Sequence, residues 1–373
     1  MGRVEGSRRE RDMTLDLIKA FAILMVVFLH NGQLNPDSVL DNISMLLPSA
    51  AVPLFFMASG AVFFQSRLDL KKHGKRILRL YLTMVFWKMI YLLVFLPGYH
   101  YGEASREVLS YLLLFQPLDG VATGHFWFFQ GMITVLLIAP MFYYCYRGAR
   151  QQSEDGIDAR AIMRYTVVVL VIFNQLLISG NFLLGVAAQL LGKGAWDITA
   201  FAEMNPFSFR YSNFLIYYLL GAVLLQYRDQ CKTAVAVLLT LGGVAGLAGI
   251  RFWQTGTWAW QGMQLQGIYY WSSTMALSIG LFLLAYRLPV KNSRILQWIA
   301  RYVGTATLPI YCVHTLLIRY LTPMLFAKWM AWNGTLLNGA ESLLIVGCIL
   351  ALYWSWRLVQ MRLTGILHRG AGQ

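Results

Sequence analysis

The sequence predicts an all-α, polytopic integral membrane protein with about ten transmembrane helices and both termini in the cytoplasm. Of the 373 residues, 58% are hydrophobic and 13% are charged, and the mean hydropathy is +0.54. Soluble globular proteins average about 25% charged residues. Long apolar segments recur along the chain, and Lys and Arg concentrate in alternate connections between them. These observations exclude an ordinary water-soluble enzyme.

Ten segments are apolar over the roughly 17–25 residues that a membrane-spanning helix needs. The first of them has no small-residue cleavage site after it, so we interpret it as a retained span and not as a signal peptide. A single membrane domain is expected over residues 1–373, with cytoplasmic tails at about 1–13 and 357–373. The ten predicted spans lie near residues 14–31, 44–65, 77–96, 126–146, 165–181, 212–227, 233–250, 268–286, 302–320 and 340–356.

The orientation follows from the basic residues, which are in excess in cytoplasmic connections. With the N-terminus inside, the cytoplasmic segments hold 23 of the 31 Lys and Arg, the outer segments hold 6, and two lie within spans. The net charge of +14 is thereby explained by topology and by contact with anionic lipids. We therefore expect the lipid bilayer as a partner and no nucleic acid.

The first span contains two ionisable side chains in an otherwise lipid-soluble segment. Lys19 and His30 are eleven positions apart, which is three helical turns, or roughly 16 Å, so they share one helix face. Ionisable groups inside a membrane normally face the protein interior and mark a functional path. Taken singly, Lys19 also fits a side chain that reaches the inner headgroups, and His30 also fits an interfacial histidine.

The segment "LDLIKAFAILMVVFLH" (15–30) resembles the opening signature of the acyltransferase 3 family of integral membrane acyltransferases. That signature has a basic residue, ten intervening residues and a histidine, which Lys19 and His30 match. Asp16 matches the acidic residue that precedes the basic one. The family usually has Arg-Gly where this chain has Lys19-Ala20.

Further blocks resemble the same family in the same order along nearly the whole chain. Arg76 and Arg79 form its Arg-x-x-Arg motif, although the proline that often follows is replaced by Leu82. The nearest type is the short, single-domain O-acetyltransferase of bacterial surface polysaccharides or their lipid-linked precursors. The blocks are "VPLFFMASGAVFF" (52–64), "KRILRLY" (75–81), "GHFWFFQGMITVLLIAP" (124–140), "IYYLLGAVL" (216–224) and "GTATLPIYCVHTLLI" (304–318).

The resemblance implies a donor site at the cytoplasmic side and a reactive histidine toward the outside. Arg76 and Arg79 would hold the phosphates of acetyl-CoA, the acyl-CoA donor, because a guanidinium matches phosphate oxygens. Lys19 would add a charge, and Asp16 would orient it. His30 would be the general base for the attacking hydroxyl, or alternatively would form an acyl-histidine. No permanently bound cofactor and no metal are expected.

Four more side chains are candidates for an acceptor or supporting site in the outer half. His125 and His314 fit either chemistry or structural hydrogen bonding, and Trp127 and Tyr311 fit either stacking on a ligand or the aromatic belt. We also expect an acidic residue of an outer segment to fix the tautomer of His30. The candidates for that partner are Asp37, Asp41, Glu103, Glu107, Asp119, Asp197, Glu203 and Glu341.

The expected function is a membrane O-acyltransferase of the bacterial inner membrane that acetylates a sugar hydroxyl of a surface polysaccharide or its lipid-linked precursor. The main alternative is a transporter or flippase for a glycan or an anionic substrate. All 17 acidic residues lie in loops or at span edges, which disfavours ion-coupled transport. Two further alternatives are a different class of membrane acyltransferase, which would have its catalytic histidine well inside the chain, and a membrane sensor without catalysis.

Overall fold

The computed structural model describes residues 11–32, 38–96, 105–147, 159–194, 197–255, 267–326 and 334–370. These residues form helices and no strand. Short 3₁₀ segments precede α3, α6, α9 and α11, and a π-helical segment, Ile172–Leu176, joins α7 to α8. The α-helices are α1 Met13–Asn31, α2 Val39–Ser44, α3 Ala51–Gln65, α4 Leu70–Phe95, α5 Ser105–Leu113, α6 Trp127–Arg147, α7 Ala159–Val171, α8 Leu177–Leu190, α9 Ser212–Tyr227, α10 Thr233–Thr255, α11 Ser272–Ala285, α12 Arg294–Tyr302, α13 Thr307–Phe326 and α14 Thr335–Gly370.

Seven helical stretches within the described ranges are long and apolar enough to cross a membrane. The predicted sixth and eighth spans correspond to the shorter apolar helices α9 and α11, and the ninth lies on α13. The prediction of an all-helical, multi-pass membrane protein is confirmed. The number of ten spans and the cytoplasmic termini stay predictions. The seven stretches are Met13–Asn31, Val39–Gln65, Leu70–Phe95, Gly124–Tyr146, Ala161–Leu190, Thr233–Gln254 and Thr335–Arg362.

Helix α4 starts at Leu70, before the third predicted span, 77–96. Most of the basic segment that precedes this span is therefore helical. The Asp69 side chain accepts a hydrogen bond of 3.0 Å from the backbone N–H of Lys72 and caps the helix. That hydrogen bond also lowers the pKa of the Asp69 carboxyl. Hydropathy detects only the lipid-soluble part of a helix, so it misses these polar first turns.

Helix α1 lies in the interior of the bundle and packs against α3, α12, α13 and α14. Asp12 caps its start by accepting from the backbone N–H of Thr14, at 3.0 Å, and of Leu15, at 3.4 Å. Gly32 ends it with a φ of +60°, a conformation that suits glycine. Most side chains from Leu15 to Val27 are buried. The polar groups of α1 consequently face protein and not lipid.

Helices α3 and α9 approach each other closely through one glycine on each side. A Cβ atom placed on Gly60 would lie 1.8 Å from the carbonyl oxygen of Tyr218, and one on Gly221 would lie 1.9 Å from that of Met57. No side chain fits at these distances. Close backbone contact through small residues is a main source of helix association in membranes, so this crossing holds α9 against the centre of the bundle.

Lys88, in the middle of α4, is buried and has its ammonium group satisfied by α5. Its Nζ donates to the carbonyl oxygen of Tyr111 at 2.5 Å and lies 4.6 Å from the centre of the Tyr111 ring. The Tyr111 hydroxyl in turn donates to the Lys88 carbonyl oxygen at 3.2 Å. A carbonyl and an aromatic face together offset part of the cost of a buried cation, so this lysine fastens α5 to α4.

Substituting Gly221→Ala or Gly60→Ala is expected to lower the apparent melting temperature of the detergent-purified protein by several degrees. Overpacking of a close contact costs roughly 1–3 kcal/mol, and here the obstacle is backbone. Gly242→Ala in α10 is the matched control, because nothing lies within 4 Å of its added Cβ, and alanine is the better helix former. An unchanged melting temperature for both close-contact variants would contradict the described crossing.

Candidate functional site

One of the cavities that contain predicted site residues has a volume of about 320 Å³ and contains three basic side chains. Lys19 reaches it from α1, and Arg76 and Arg79 reach it from α4. We call it the cation cavity. Its other walls are mainly apolar, and no Asp or Glu is among the described residues that line it. The structure therefore brings the three predicted donor-binding residues together in one electropositive space that suits an anion.

The structure places Asp16 beside Lys19, the residue that we expected it to orient. The Asp16 carboxylate lies 3.3 Å from Lys19 Nζ and also accepts from Arg11 Nε. Asp16 itself is buried, whereas Arg76 and Arg79 are exposed. The two arginines are three positions apart on α4, so they lie on one helix face. Lys19 is thus a fixed charge inside the cavity, and the arginines extend from α4 with their side chains unburied.

A second, narrower cavity of about 50 Å³ lies beside the first. It contains His30 and His125, and Trp127 and Tyr269 contribute to its wall. We call it the histidine cavity. The two cavities are neighbours, because four residues line both of them. These shared residues are Val26, Val52, Phe128 and Tyr311.

Three histidines from three separate parts of the chain converge at this end. His30 Nδ1 lies 2.7 Å from His314 Nε2, and the two rings are stacked with centroids 5.0 Å apart. The His125 ring centroid lies 6.0 Å from that of His30 and 5.2 Å from that of His314. In the part of the chain that the structure describes, no three His, Cys, Asp or Glu side chains are arranged to hold a metal ion.

The hydrogen bonds of His314 assign the protons in the pair. Its Nδ1 lies 2.8 Å from the carbonyl oxygen of Tyr311 and 3.2 Å from that of Ile310. Carbonyl oxygens only accept, so Nδ1 carries the proton, and in the neutral ring Nε2 is an acceptor. The donor to that acceptor is therefore His30 Nδ1–H. In a neutral His30 the other nitrogen, Nε2, then has a free lone pair and is available as a base.

Tyr311 lies between the two cavities, and its hydroxyl donates to the backbone carbonyl of His125. The hydroxyl proton is therefore committed to that carbonyl, and the ring forms part of the wall of both cavities. His125 Nε2 is buried and has no hydrogen-bond partner among the described residues. Trp127 stacks on Phe214 with ring centroids 5.4 Å apart. All four predicted supporting residues thus lie at the histidine end.

The predicted acidic partner of His30 is not found among the described residues, and His314 occupies its place. Glu341 comes near but accepts from the neighbouring Asn31, with Nδ2 and Oε2 2.6 Å apart. Two candidates, Asp37 and Glu103, lie outside the described residues. The sequence analysis also missed Ser59, in the cation cavity, and Tyr269, in the histidine cavity. Ser59 lies in the block 52–64 that resembles the family, but neither residue has a charge that would single it out among many similar residues.

The apolar helices define a multi-pass membrane protein, and its interior contains two neighbouring cavities, one with basic residues and one with histidines. A family model described as an acyltransferase domain matches residues 14–359. The chain belongs to the acyltransferase 3 family, as the ordered sequence blocks predicted, and it is accordingly a membrane acyltransferase. Comparisons with curated proteins and with solved structures give no match.

The hydrogen bond from His30 to His314 predicts different outcomes for two substitutions. In His314→Leu, the turnover number for acyl transfer should fall about 10–100-fold, the range typical when the partner that orients a functional imidazole is removed. His314→Gln should lose less, because an amide oxygen can still accept from His30 Nδ1–H. The KM for the acyl donor should stay within about twofold in both variants, because His314 does not line the cation cavity that contains the predicted donor-binding residues.

Initial-rate kinetics on purified protein measure both constants. Val313→Ala, a neighbouring substitution on α13, controls for general loosening of this helix. Full turnover in a properly inserted His314→Leu variant would show that the pairing of the two imidazoles has no part in the reaction.

Proposed function

We propose that the protein transfers an acetyl group from cytoplasmic acetyl-CoA to a sugar hydroxyl of a cell-surface polysaccharide or its lipid-linked precursor. The observation that carries the proposal is that the cation cavity and the histidine cavity are neighbours with a shared wall. An enzyme that brings a charged donor to a sugar acceptor within the membrane needs a basic site and a reactive site close together. The membrane is then the inner membrane of a bacterium, and acetyl-CoA is a substrate and not a resident cofactor.

The donor would bind with its phosphates at the cation cavity. Arg76 and Arg79 would each offer a planar set of donors to phosphate oxygens, and Lys19 would add a point charge. Along α1, Lys19 and His30 are separated by roughly 16 Å at 1.5 Å per residue. An extended pantetheine arm covers such a distance. The thioester would therefore lie near His30 while the phosphates stay with the basic residues.

His30 would act as the general base. Its Nε2 would take the proton of the acceptor hydroxyl while that oxygen attacks the thioester carbonyl carbon. The carbon–sulfur bond then breaks, and coenzyme A leaves as the thiol once its sulfur has taken up the proton. His125 Nε2, which has no partner among the described residues, would donate to the developing oxyanion if its ring holds the proton there. His314 would keep the His30 ring oriented.

The first test follows radiolabelled acetyl-CoA with purified protein in lipid nanodiscs, with and without a membrane extract as the source of acceptor. His30→Ala should lower thioester turnover by at least about 100-fold, the lower range for a positioned general base. Binding of acetyl-CoA should persist in this variant. His368→Ala, a histidine near the C-terminus, is the control and should turn over like wild type.

Two other results would change the proposal. If His30→Ala is inserted normally and turns over at the wild-type rate, His30 is not the base. If the wild type neither binds nor cleaves acetyl-CoA under any of these conditions, a transporter or flippase becomes the better explanation of the cation cavity and the histidine cavity.

The proposed role of the two arginines predicts a loss of donor binding that depends on whether the donor carries phosphates. Arg76→Gln and Arg79→Gln should each raise the KM for acetyl-CoA about 10–100-fold, because a hydrogen bond to a charged group contributes roughly 1.5–3 kcal/mol. With S-acetyl-N-acetylcysteamine, a thioester that lacks the phosphates, both variants should match the wild type. Lys75→Gln is the control, since Lys75 is outside the cation cavity. An equal loss with both donors would contradict phosphate binding.

A further inference from the structure

A third cavity, of about 100 Å³, adjoins the histidine cavity. The two share Trp127 and Tyr269 in their walls. Arg210, Tyr211 and Asn213 contribute further to the third cavity, which we call the aromatic cavity. Its volume is about three times the roughly 30 Å³ that one water molecule occupies in the liquid. It therefore admits a substituent or one edge of a ring, and the rest of a larger ligand would extend out of it.

Asn213 is a polar side chain that lacks its expected partners. It is fully buried, with an exposed fraction of 0%, and neither its amide nitrogen nor its amide oxygen has a hydrogen-bond partner among the described residues. A buried amide in this state is costly, and native proteins rarely leave one unpaired. Because Asn213 lines the aromatic cavity, a ligand that both donates and accepts, such as a sugar hydroxyl or an N-acyl group, would complete its hydrogen bonds.

Aromatic rings form much of the wall around this amide. The Trp127 ring lies 6.3 Å from the Tyr211 ring and 5.8 Å from the Tyr269 ring. The Tyr211 hydroxyl donates to Gln130 Oε1 at 2.8 Å, which holds that ring in position. Rigid aromatic faces combined with a few placed polar groups are the usual composition of a small-molecule site. The apolar face of a sugar ring is a suitable partner for such walls.

The backbone around the cavity is held in unusual conformations. Tyr211 has a φ of +75° just before α9, and a bulky residue keeps this conformation only where its surroundings impose it. The π-helical segment lies behind it: Ser212 Oγ donates to Asn174 Oδ1 at 3.0 Å, and Gln175 Nε2 donates to the Tyr269 carbonyl at 3.0 Å. Single π-helical turns are frequent at functional sites.

Arg210 supplies a positive charge at the same place. It is exposed, its guanidinium lies 5.2 Å from the centre of the Tyr211 ring, and it lines the aromatic cavity. No Asp or Glu is among the described residues of that lining. A guanidinium without a carboxylate beside it favours a carboxylate or phosphate on the ligand.

We propose that the aromatic cavity is the acceptor subsite and that it binds an acidic saccharide, with the anionic group at Arg210, a sugar ring against the aromatic wall, and a hydroxyl or N-acyl group on Asn213. This inference deepens the proposed function, because it names the class of acceptor whose hydroxyl would reach His30. The anionic group is either a carboxylate of the sugar itself or a phosphate that links the sugar to its carrier lipid.

The test is binding of saccharides to the full-length protein in nanodiscs, without acetyl-CoA, on an array of neutral, uronic-acid and phosphate-linked glycans. We expect binding to acidic glycans and little binding to the neutral ones. Arg210→Gln and Asn213→Ala should each weaken that binding about tenfold or more, the scale of one lost hydrogen bond to a charged or fully buried partner. Binding restricted to uronic acids, or to phosphate-linked sugars, would identify the source of the anion.

Two control variants accompany the test. Arg319 is also an exposed arginine on an aromatic ring, 5.0 Å from the centre of Phe95, but it does not line the aromatic cavity. Arg319→Gln should bind saccharides like the wild type. Asn213→Ala removes an unpaired amide, so its apparent melting temperature should stay the same or rise. Asn338→Ala removes an amide that donates to the Phe28 carbonyl at 2.9 Å, and its melting temperature should fall.

Each remaining outcome overturns a defined part of the proposal. Equal binding of neutral and acidic glycans, unaffected by Arg210→Gln, would overturn the acidic class of acceptor. Absence of binding to every glycan, by a protein that still cleaves acetyl-CoA, would overturn the subsite and leave the proposed function standing. Saccharide binding that depends on Asn213, in a protein that never cleaves acetyl-CoA, would support the subsite and contradict acyl transfer.

Discussion

The architecture depends on one constraint, which is that the polar side chains of α1 must be kept away from lipid. An ionisable group exposed to the bilayer interior is costly unless it finds a partner or a polar cavity. The structure meets this requirement at both ends of the helix: Lys19 pairs with Asp16 near its start, and at its other end His30 pairs with His314 and Asn31 donates to Glu341. Helix α1 is therefore enclosed by α3, α12, α13 and α14, and the interior cavities form along it.

The close crossing of α3 and α9 determines which residues of α9 lie beside the cavities. Gly60 and Gly221 let the two backbones meet, and α9 consequently brings Asn213 and Phe214 to the side of Trp127. Several buried polar atoms without partners among the described residues lie in this region, on His125, Gln175 and Asn213. Such atoms also occur on Tyr218 and Glu341, but these three residues lie at or beside the histidine and aromatic cavities, and this position supports the proposed ligand site.

Much of the fold and part of the site could be predicted from the sequence, because those features are local. Helical periodicity places Lys19 and His30 on one face, and a spacing of three does the same for Arg76 and Arg79. The pairing of His30 with His314 joins residues 284 positions apart and depends on how α1 packs against α13, which no local pattern encodes. Asn213 could not be predicted from the sequence either, because the absence of a hydrogen-bond partner among the described residues is visible only in the packed structure. Helix bounds such as that of α4 were missed where a helix continues beyond the lipid-soluble part.

Tyr311 has a further consequence for the cell that contains this protein. The proposed function requires a passage between the two sides of the membrane, and such a passage would threaten the ion gradients across it. The Tyr311 ring lies between the two cavities, and its hydroxyl is bound to the His125 carbonyl, so the ring would form a fixed, apolar constriction in that passage. A hydrated ion would have to shed its water to pass there, which is strongly unfavourable in an apolar surrounding. We expect the protein to leave the membrane electrically insulating while a slender organic chain occupies the same passage.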